Sequence, residues 1–169
     1  MARLLAEHKV PLLIHQPSYN MLNRWVEQEL LDTLDDLGTG SIAFTPLAQG
    51  LLTNKYLNGV PEDARVNRPG GGSLKSEHLS TQNIEHVRKL NDLALRRGQS
   101  LAQMAIAWTL RGGRVTSALI GASRAEQVRE NVAALKNLEF SKEELAEIDR
   151  YATEGGVNLW EKPSTDQGI

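Results

Sequence analysis

The sequence predicts an α/β protein in which parallel strands alternate with helices. Two observations support this: three short runs of apolar and β-branched residues, and stripes of apolar residues at helical spacing that lie between and after the runs. The runs are almost continuously apolar rather than alternating, which is typical of parallel strands that are covered on both faces. Strand–helix alternation then implies right-handed crossovers between the strands.

Each predicted strand stops at a residue that interrupts a sheet. Pro17 and Pro46 have no amide hydrogen to donate to a neighbouring strand, and Gly121 begins a turn. The three predicted strands are, in chain order, residues 10–16, 41–45 and 115–120.

The helices are predicted from their apolar stripes and from the glycines that follow them. Gly38, Gly98 and Gly112 end the first three, and the final helix, over residues 142–152, ends at Gly155. The stripes are Val26, Leu30, Leu34 and Leu37, then Ile84, Val87, Leu90 and Ala94, and then Leu101, Met104, Ala105 and Trp108.

Three helix starts carry a capping box, in which a serine is followed three residues later by Gln or Glu. The serine oxygen accepts a hydrogen bond from a first-turn amide, and the Gln or Glu side chain accepts one from the serine amide. A box at Ser123 predicts that a helix opens there, directly after the third strand. The pairs are Ser100–Gln103, Ser123–Glu126 and Ser141–Glu144.

The composition is that of an ordinary globular protein of one domain, with 169 residues, 40% hydrophobic and 24% charged. A net charge of −2 gives no electrostatic reason to expect nucleic acid or an acidic membrane as a partner. No run approaches the ~18 apolar residues of a membrane span. The absence of cysteine and the lack of ligand spacing among the four histidines predict no metal site. We therefore expect a cytoplasmic protein.

One long irregular segment, residues 58–79, contains Pro61, Pro69 and three successive glycines at 70–72. Loops of this length are usually functional, so the segment is predicted to be a lid. A disordered insertion is the alternative.

The strongest chemical signal follows the third strand. There Gly121 leads into Ser123 and Arg124, at the start of a helix whose amides and dipole favour an anion. Arg124 is placed to bind a phosphate. An ordinary capped helix with a solvated polar face is the alternative. The residues on the adjacent helical face are Gln127, Glu130 and Asn131.

The end of the second strand gives a weaker signal. Phe44 precedes a turn of small residues begun by Pro46, and an aromatic side chain at this place suits stacking on a flat ring, while the turn amides suit a diphosphate. An aromatic residue of the core is the alternative. The turn continues through Thr45, Leu47, Ala48, Gln49 and Gly50.

These segments resemble the aldo-keto reductase family. The resemblance lies in Gln16 at the first strand end, in the turn 44–50 with Lys55-Tyr56, and in the stretch 121–131, and it spans nearly the whole chain. It implies a (β/α)₈ TIM barrel that binds NADP(H) across the carboxyl ends of its strands. The implied reaction is reduction of a small aldehyde or ketone, such as glyceraldehyde 3-phosphate, to an alcohol.

The resemblance also implies roles for individual residues. Gln16 is expected to hydrogen-bond the nicotinamide amide and Phe44 to stack on its ring. Ser123 and Arg124 are expected to hold the 2′-phosphate that distinguishes NADPH from NADH. The lid arginines Arg65 or Arg68 are expected to close over the diphosphate. The implied cofactor-binding residues are Gln16, Phe44, Thr45, Pro46, Leu47, Ala48, Gln49, Lys55, Gly121, Ser123, Arg124, Gln127, Glu130 and Asn131.

No catalytic residue is assigned. The Asp, Tyr, Lys and His that the family uses in catalysis lie before the point where this sequence begins, and Tyr19, Tyr56 and Tyr151 are not in the matching position. A complete barrel has eight strands in about 250 residues. The chain is therefore expected to be the C-terminal part of a barrel, with about three strand–helix units and a C-terminal helix, and the barrel is incomplete.

Two functions remain open. The first is an NADPH-dependent reductase, of which this domain, residues 1–169, holds the cofactor but has no activity alone. The second is a non-catalytic module that binds NADP(H) or a partner, as in the potassium channel β subunits that share the resemblance. An inert truncated gene product is a third reading. Because an incomplete barrel has unpaired edges, association with another chain or with a second copy is expected.

Overall fold

The structure, a computed structural model, describes residues 1–61, 76–156 and 158. Its strands are parallel and lie in the sheet in chain order, which confirms the predicted alternation of strands and helices. They are β1 (Ile14–His15), β2 (Gly40–Phe44) and β3 (Ser117–Leu119).

The first helix, α1, is only six residues long and precedes β1. The α-helices are α1 (Ala2–Glu7), α2 (Leu30–Asp36), α3 (Thr81–Arg96), α4 (Leu101–Leu110), α5 (Ala125–Val132) and α6 (Lys142–Asp149). Short 3₁₀ segments cover Trp25–Glu27, Ala48–Gly50, Asn54–Tyr56, Ser76–Leu79, Arg111–Gly113 and Ala133–Lys136.

Several predicted elements are shorter in the structure. The run 10–16 forms a ladder only over Ile14–His15, although the carbonyls of Leu12 and Leu13 still accept from Thr39 Oγ1 (3.0 Å) and Gly40 N (2.9 Å). Pro11 has no amide to extend the ladder. The predicted helix around Val26 begins with a separate 3₁₀ turn before α2, and α6 ends at Asp149 rather than at residue 152.

The sheet is open among the described residues. β2 is the central strand, with Ile14 opposite Gly40 on one side and Leu119 opposite Phe44 on the other. In the part of the chain that the structure describes, β1 and β3 have no second neighbour. The structure is thus consistent with the predicted part of a barrel, which three strands do not close.

The prediction that both faces of the sheet are covered is wrong for the described residues. Along β2, burial alternates: Ser41 and Ala43 are fully buried on the face that the helices cover, whereas Ile42 and Phe44 are only half-buried. The register places Leu119 on the face of Phe44, and Leu119 is 52% exposed. A continuous apolar run does not reveal this difference, because both faces of a barrel strand are apolar.

Helix α4 forms the centre of the core. Eight of its ten residues are buried, so it is apolar around its whole circumference rather than along the predicted stripe. Met104 and Trp108 on α4 meet Leu90 and Leu93 of α3 in one continuous apolar cluster. The capping box predicted at Ser100 is confirmed, as is the one at Ser141 that begins α6.

A charged network surrounds Trp108 at the end of α4. The Arg111 guanidinium lies 3.6 Å from the centre of the Trp108 ring, and that of Arg24 lies 5.2 Å away. Both arginines pair with Glu27, at 2.9 Å and 2.7 Å, and the Tyr19 hydroxyl donates to Glu27 at 2.6 Å. The network therefore joins the loop after β1 to the end of α4, and burial raises the pKa of Tyr19 well above its usual value.

The predicted lid falls largely outside the described residues. Of the segment 58–79, positions 62–75 are not described, and Arg65 and Arg68 are among them. The prediction that this segment closes over a ligand is therefore untested by the structure.

Candidate functional site

The three strands bring the predicted site residues to one edge of the sheet, because the carboxyl ends of parallel strands lie together. We call this edge the rim and define it as residues 16–20, 44–50 and 120–127. Gln16 follows β1, Phe44 ends β2, and Ser18 pairs with Phe44 in a parallel bridge beyond the end of β1. In open α/β sheets, ligands bind beyond the carboxyl ends of the strands, as they do at the same end of α/β barrels.

The turn after β2 is strained. Thr45, Ala48 and Gln49 have φ values of +57°, +45° and +57°, in the left-handed region, and Gly50 follows with φ +97°. For a β-branched residue such as Thr45 this conformation is a clear outlier, costing roughly 1–3 kcal/mol unless neighbouring groups enforce it. Strain of this kind clusters at ligand-binding sites, which marks the turn as a candidate.

The side chains of this part of the rim differ in exposure. Gln16 is exposed, and Phe44 is half-buried on the sheet face that carries Leu119. Lys55, which follows this part of the rim in the chain, is exposed, with its Nζ 5.4 Å from the centre of the Tyr56 ring. In the turn itself Pro46 and Ala48 are buried, and the remaining predicted residues, Thr45, Leu47 and Gln49, are half-buried.

The helix after β3 does not begin as predicted. The capping box at Ser123 is wrong: α5 starts at Ala125 with Arg124 as its N-cap, and no side chain caps it. Instead, Gln127 Oε1 accepts from the Ser123 amide at 2.9 Å and from the Ser123 hydroxyl at 3.1 Å. Gln127 thus accepts from both donors of Ser123, its amide and its hydroxyl. The Ser123 amide is therefore not available to donate to the Glu126 side chain, as a capping box requires. A phosphate that binds Ser123 must therefore replace Gln127 as the acceptor.

Arg124 is exposed beside Gly121, and within residues 1–61, 76–156 and 158 it has no ion pair. The face that follows it on α5 is less uniform than predicted. Glu130 is exposed while its carbonyl accepts from Gln103 of α4 at 3.1 Å, and Asn131 is buried, with 7% of its surface exposed.

Sequence reasoning missed a set of buried polar side chains directly beneath the β2 turn. We call them the polar cluster: Ser18, Asn20 and Asn23, which are 4%, 2% and 0% exposed. They hydrogen-bond one another and Thr45. Three small polar residues within an otherwise apolar stretch after a strand are the available signal, since buried polar groups need partners.

The described residues contain no group of acidic or histidine side chains that could hold a metal ion. Among the helices of that same part of the chain, none is long and apolar enough to cross a membrane.

Parallel strands in chain order, joined by helices into an open sheet in the described part of the chain, define an α/β protein consistent with part of a barrel. The chain belongs to the aldo/keto reductase family, whose family model matches residues 1–153. The resemblance on which the sequence analysis relied is thereby confirmed.

Relatives in two groups match the chain. It is 59% identical over 167 residues to the L-glyceraldehyde 3-phosphate reductases of Escherichia coli O157:H7 and of Escherichia coli K12, covering 97% of this chain and 48% of each relative. It is 36% identical over 139 residues to a putative voltage-gated potassium channel subunit beta of Schizosaccharomyces pombe, covering 79% of this chain and 40% of the relative. The chain thus spans about half the length of the curated relatives it matches.

Proposed function

We propose that this chain is the NADP(H)-holding part of an aldo-keto reductase that reduces a small aldehyde or ketone. One observation supports this most directly: the rim carries Gln16, the strained turn at Thr45, and Arg124 in the order of the three strands. The name of the Escherichia coli relatives suggests L-glyceraldehyde 3-phosphate as a substrate of the whole protein. One domain over residues 1–169 and a cytoplasmic location are parts of the same proposal.

The residues of the rim fit the chemistry of a phosphorylated dinucleotide. Arg124 is exposed at the start of α5, where the helix dipole favours an anion. Lys55 adds positive charge near the β2 turn. Phe44 has a half-buried ring on the sheet face that also carries Ile14 and Leu119, and a flat heteroaromatic ring is the kind of group that stacks on it.

In this proposal each residue positions a different part of the cofactor. Gln16 hydrogen-bonds the nicotinamide amide, Phe44 stacks on its ring, the β2 turn binds the diphosphate, and Ser123 with Arg124 binds the 2′-phosphate. When bound, the cofactor supplies a hydride to the carbonyl carbon of the substrate. The part of the chain assigned to the adenine is Gln127, Glu130 and Asn131, with Gly121 allowing close approach.

Arg124→Ala is expected to weaken NADPH binding. The substitution removes the charge-assisted hydrogen bonds to the 2′-phosphate, which are worth about 1.5–3 kcal/mol when well formed, so the dissociation constant rises by about tenfold or more. NADPH fluorescence titrated with the purified chain measures this change.

A matched control is available on the same helix. Arg129 is also exposed and lies in the last turn of α5, so Arg129→Ala changes net charge equally but is expected to leave NADPH binding within about twofold. NADH, which lacks the 2′-phosphate, is expected to bind poorly to all three proteins. Equal weakening by the two arginine variants would show that only the overall charge matters and would contradict the proposed phosphate site.

A second candidate function is a partner-binding module, and the partly exposed apolar face of the sheet favours it. Ile14, Leu119 and the half-buried Phe44 share this face, and Leu13 beside it is 74% exposed. Such apolar surface next to unpaired strand edges is typical of sites that take another chain.

Because of this face, we expect the purified chain to associate rather than to remain a compact monomer. Light scattering coupled to gel filtration is expected to give a mass above 18.7 kDa, whereas Leu13→Lys with Leu119→Lys lowers the associated fraction. A monodisperse monomer that melts cooperatively would contradict the partner-binding proposal.

A further inference from the structure

We propose that Ser18 and Asn20, supported by Asn23, are positioning residues that hold Thr45 in its left-handed conformation and thereby shape the β2 turn for a diphosphate. The inference rests on the proposed function, since it assigns residues to the same site. It differs in that none of these three side chains is proposed to touch the cofactor.

The first link is a directed chain of hydrogen bonds. The Thr45 hydroxyl donates to the carbonyl of Phe44 at 2.7 Å, so its oxygen accepts from the Ser18 hydroxyl, 3.0 Å away. The Ser18 oxygen in turn accepts from Asn23 Nδ2 at 3.1 Å. Each hydroxyl in this chain has one proton, and the order of donors therefore fixes the direction of every bond.

The second link holds the peptide on the other side of Thr45. Asn20 Nδ2 donates to the Thr45 carbonyl at 3.0 Å, and the same carbonyl accepts from the Ala48 amide at 2.9 Å. Asn20 cannot swing away, because its Oδ1 accepts from the Leu22 amide at 2.9 Å. The Phe44 carbonyl also accepts from the Tyr19 amide at 3.3 Å, so the loop after β1 holds both carbonyls that flank the Thr45 Cα.

The orientation of Asn23 indicates that this arrangement is not the one that stability alone favours. Asn23 is fully buried, it donates to Ser18, and its Oδ1 has no hydrogen-bond partner among the described residues. An unpaired buried carbonyl is unfavourable and rare. Asn23 keeps this unfavourable orientation while its Nδ2 donates to the Ser18 hydroxyl, and that hydroxyl donates to the hydroxyl of the strained Thr45.

The cluster also lies apart from the surface that a ligand reaches. Ser18, Asn20 and Asn23 are all buried, whereas the turn that they support carries half-buried Leu47 and Gln49. Loss of the cluster therefore acts on a ligand only through the conformation of the turn. Thr45 is the residue through which both links act.

The test is a double-substitution cycle between Asn20 and Thr45, measured by NADP⁺ titration of the full chain. Asn20→Ala is expected to raise the dissociation constant by about tenfold, because Thr45 then relaxes to negative φ and the turn changes shape. Glycine adopts positive φ without strain, so in a Thr45→Gly chain the same Asn20→Ala change is expected to cost less than about threefold. If Asn20 contributes only to stability and does not affect the turn, Thr45→Gly is not expected to reduce the effect of Asn20→Ala.

Asn83→Ala is the matched control. Asn83 Nδ2 also donates to two backbone carbonyls, those of His78 and Gly155, at 2.9 Å each, but Asn83 lies outside the rim. It is expected to lower the melting temperature without changing NADP⁺ affinity. Amide hydrogen exchange gives a readout free of ligand: the Ala48 amide is expected to exchange about tenfold faster in Asn20→Ala than in Asn83→Ala.

The outcomes separate this inference from the proposed function. If the unsubstituted chain binds NADP⁺ and Asn20→Ala behaves like Asn83→Ala in both measurements, the positioning role is overturned while the cofactor site stands. Additive effects of Asn20→Ala and Thr45→Gly overturn it as well. If the unsubstituted chain does not bind NADP⁺, the proposed function itself fails and this inference falls with it. Weakened binding, faster exchange and rescue together support it.

Discussion

Trp108→Ala is expected to lower the free energy of unfolding of the chain by about 3–5 kcal/mol, a large part of its stability. Trp108 is fully buried at the end of α4, its ring is 5.4 Å from that of Tyr19, and Arg111 stacks on it at 3.6 Å. Replacing a buried tryptophan by alanine costs about 3–5 kcal/mol, against a total stability of roughly 5–15 kcal/mol for a domain. Urea denaturation followed by far-ultraviolet circular dichroism measures the loss.

Trp108→Phe is the control for this prediction. Phenylalanine keeps an aromatic ring for Arg111 and removes Nε1, which is buried without a hydrogen-bond partner among the described residues. No hydrogen bond is lost there, so the cost is expected to be well below that of alanine. If both variants are equally destabilised, packing of the indole ring as a whole rather than aromatic stacking accounts for the role of Trp108.

The isolated chain is expected to show no aldehyde-dependent oxidation of NADPH, which is a complete loss relative to a whole reductase. Reduction of a carbonyl needs a proton donor beside the hydride, and general acid catalysis is worth roughly 10²–10⁴-fold. We propose that the family's acid–base residues are not part of this chain. NADPH absorbance, recorded with a short aldehyde in excess, measures the reaction.

Tyr19, the tyrosine within the rim, does not replace that donor. Tyr19 is 1% exposed, its hydroxyl donates to Glu27 at 2.6 Å and accepts from Arg111 at 2.8 Å, and burial raises its pKa. A catalytic acid needs a pKa near the working pH and access to the substrate, and Tyr19 has neither.

The blank for this measurement is the Arg124→Ala chain, prepared in the same way. Contaminating reductases from the host contribute equally to both samples, so only a difference between them belongs to this protein. Turnover by the unsubstituted chain that clearly exceeds the Arg124→Ala sample would refute the expected inactivity.

The strand positions were predictable because their boundaries are set by local chemistry. Pro46 has no amide hydrogen for the ladder and Gly121 begins a turn, so β2 and β3 end within one residue of the predicted positions, at Phe44 and Leu119. The depth of burial was not predictable in the same way. Leu119 and Ala43 are both apolar, yet one is half exposed and the other fully buried, because that outcome depends on which elements cover each face.

The start of α5 shows how local signals compete. Ser123 and Glu126 have the spacing of a capping box, but Gln127 is one position further and reaches both donors of Ser123. Pattern matching treats the box as independent of its neighbours, whereas the hydrogen-bonding groups of one serine are limited. At Ser100 and Ser141 the predicted bonds form.

The hydrogen bonds between the polar cluster and Thr45 were unpredictable for a different reason. Asn20 and Thr45 are 25 positions apart, and nothing in either local segment indicates that the Asn20 side chain donates a hydrogen bond to the Thr45 carbonyl. Left-handed φ at Thr45 is equally hidden, since threonine is among the residues least suited to it. Only the parallel pairing of β1 with β2 brings the two loops together.

The simple order of the strands has a consequence for assembly on the ribosome. Each strand pairs with the one that precedes it in the chain, so every new strand–helix unit docks onto a surface that has already been made. The segment proposed to hold the adenine lies in α5 and emerges after all three strands, before α6. Under the proposed function, nucleotide binding therefore comes late in synthesis, after the strand–helix units that precede α5 have folded.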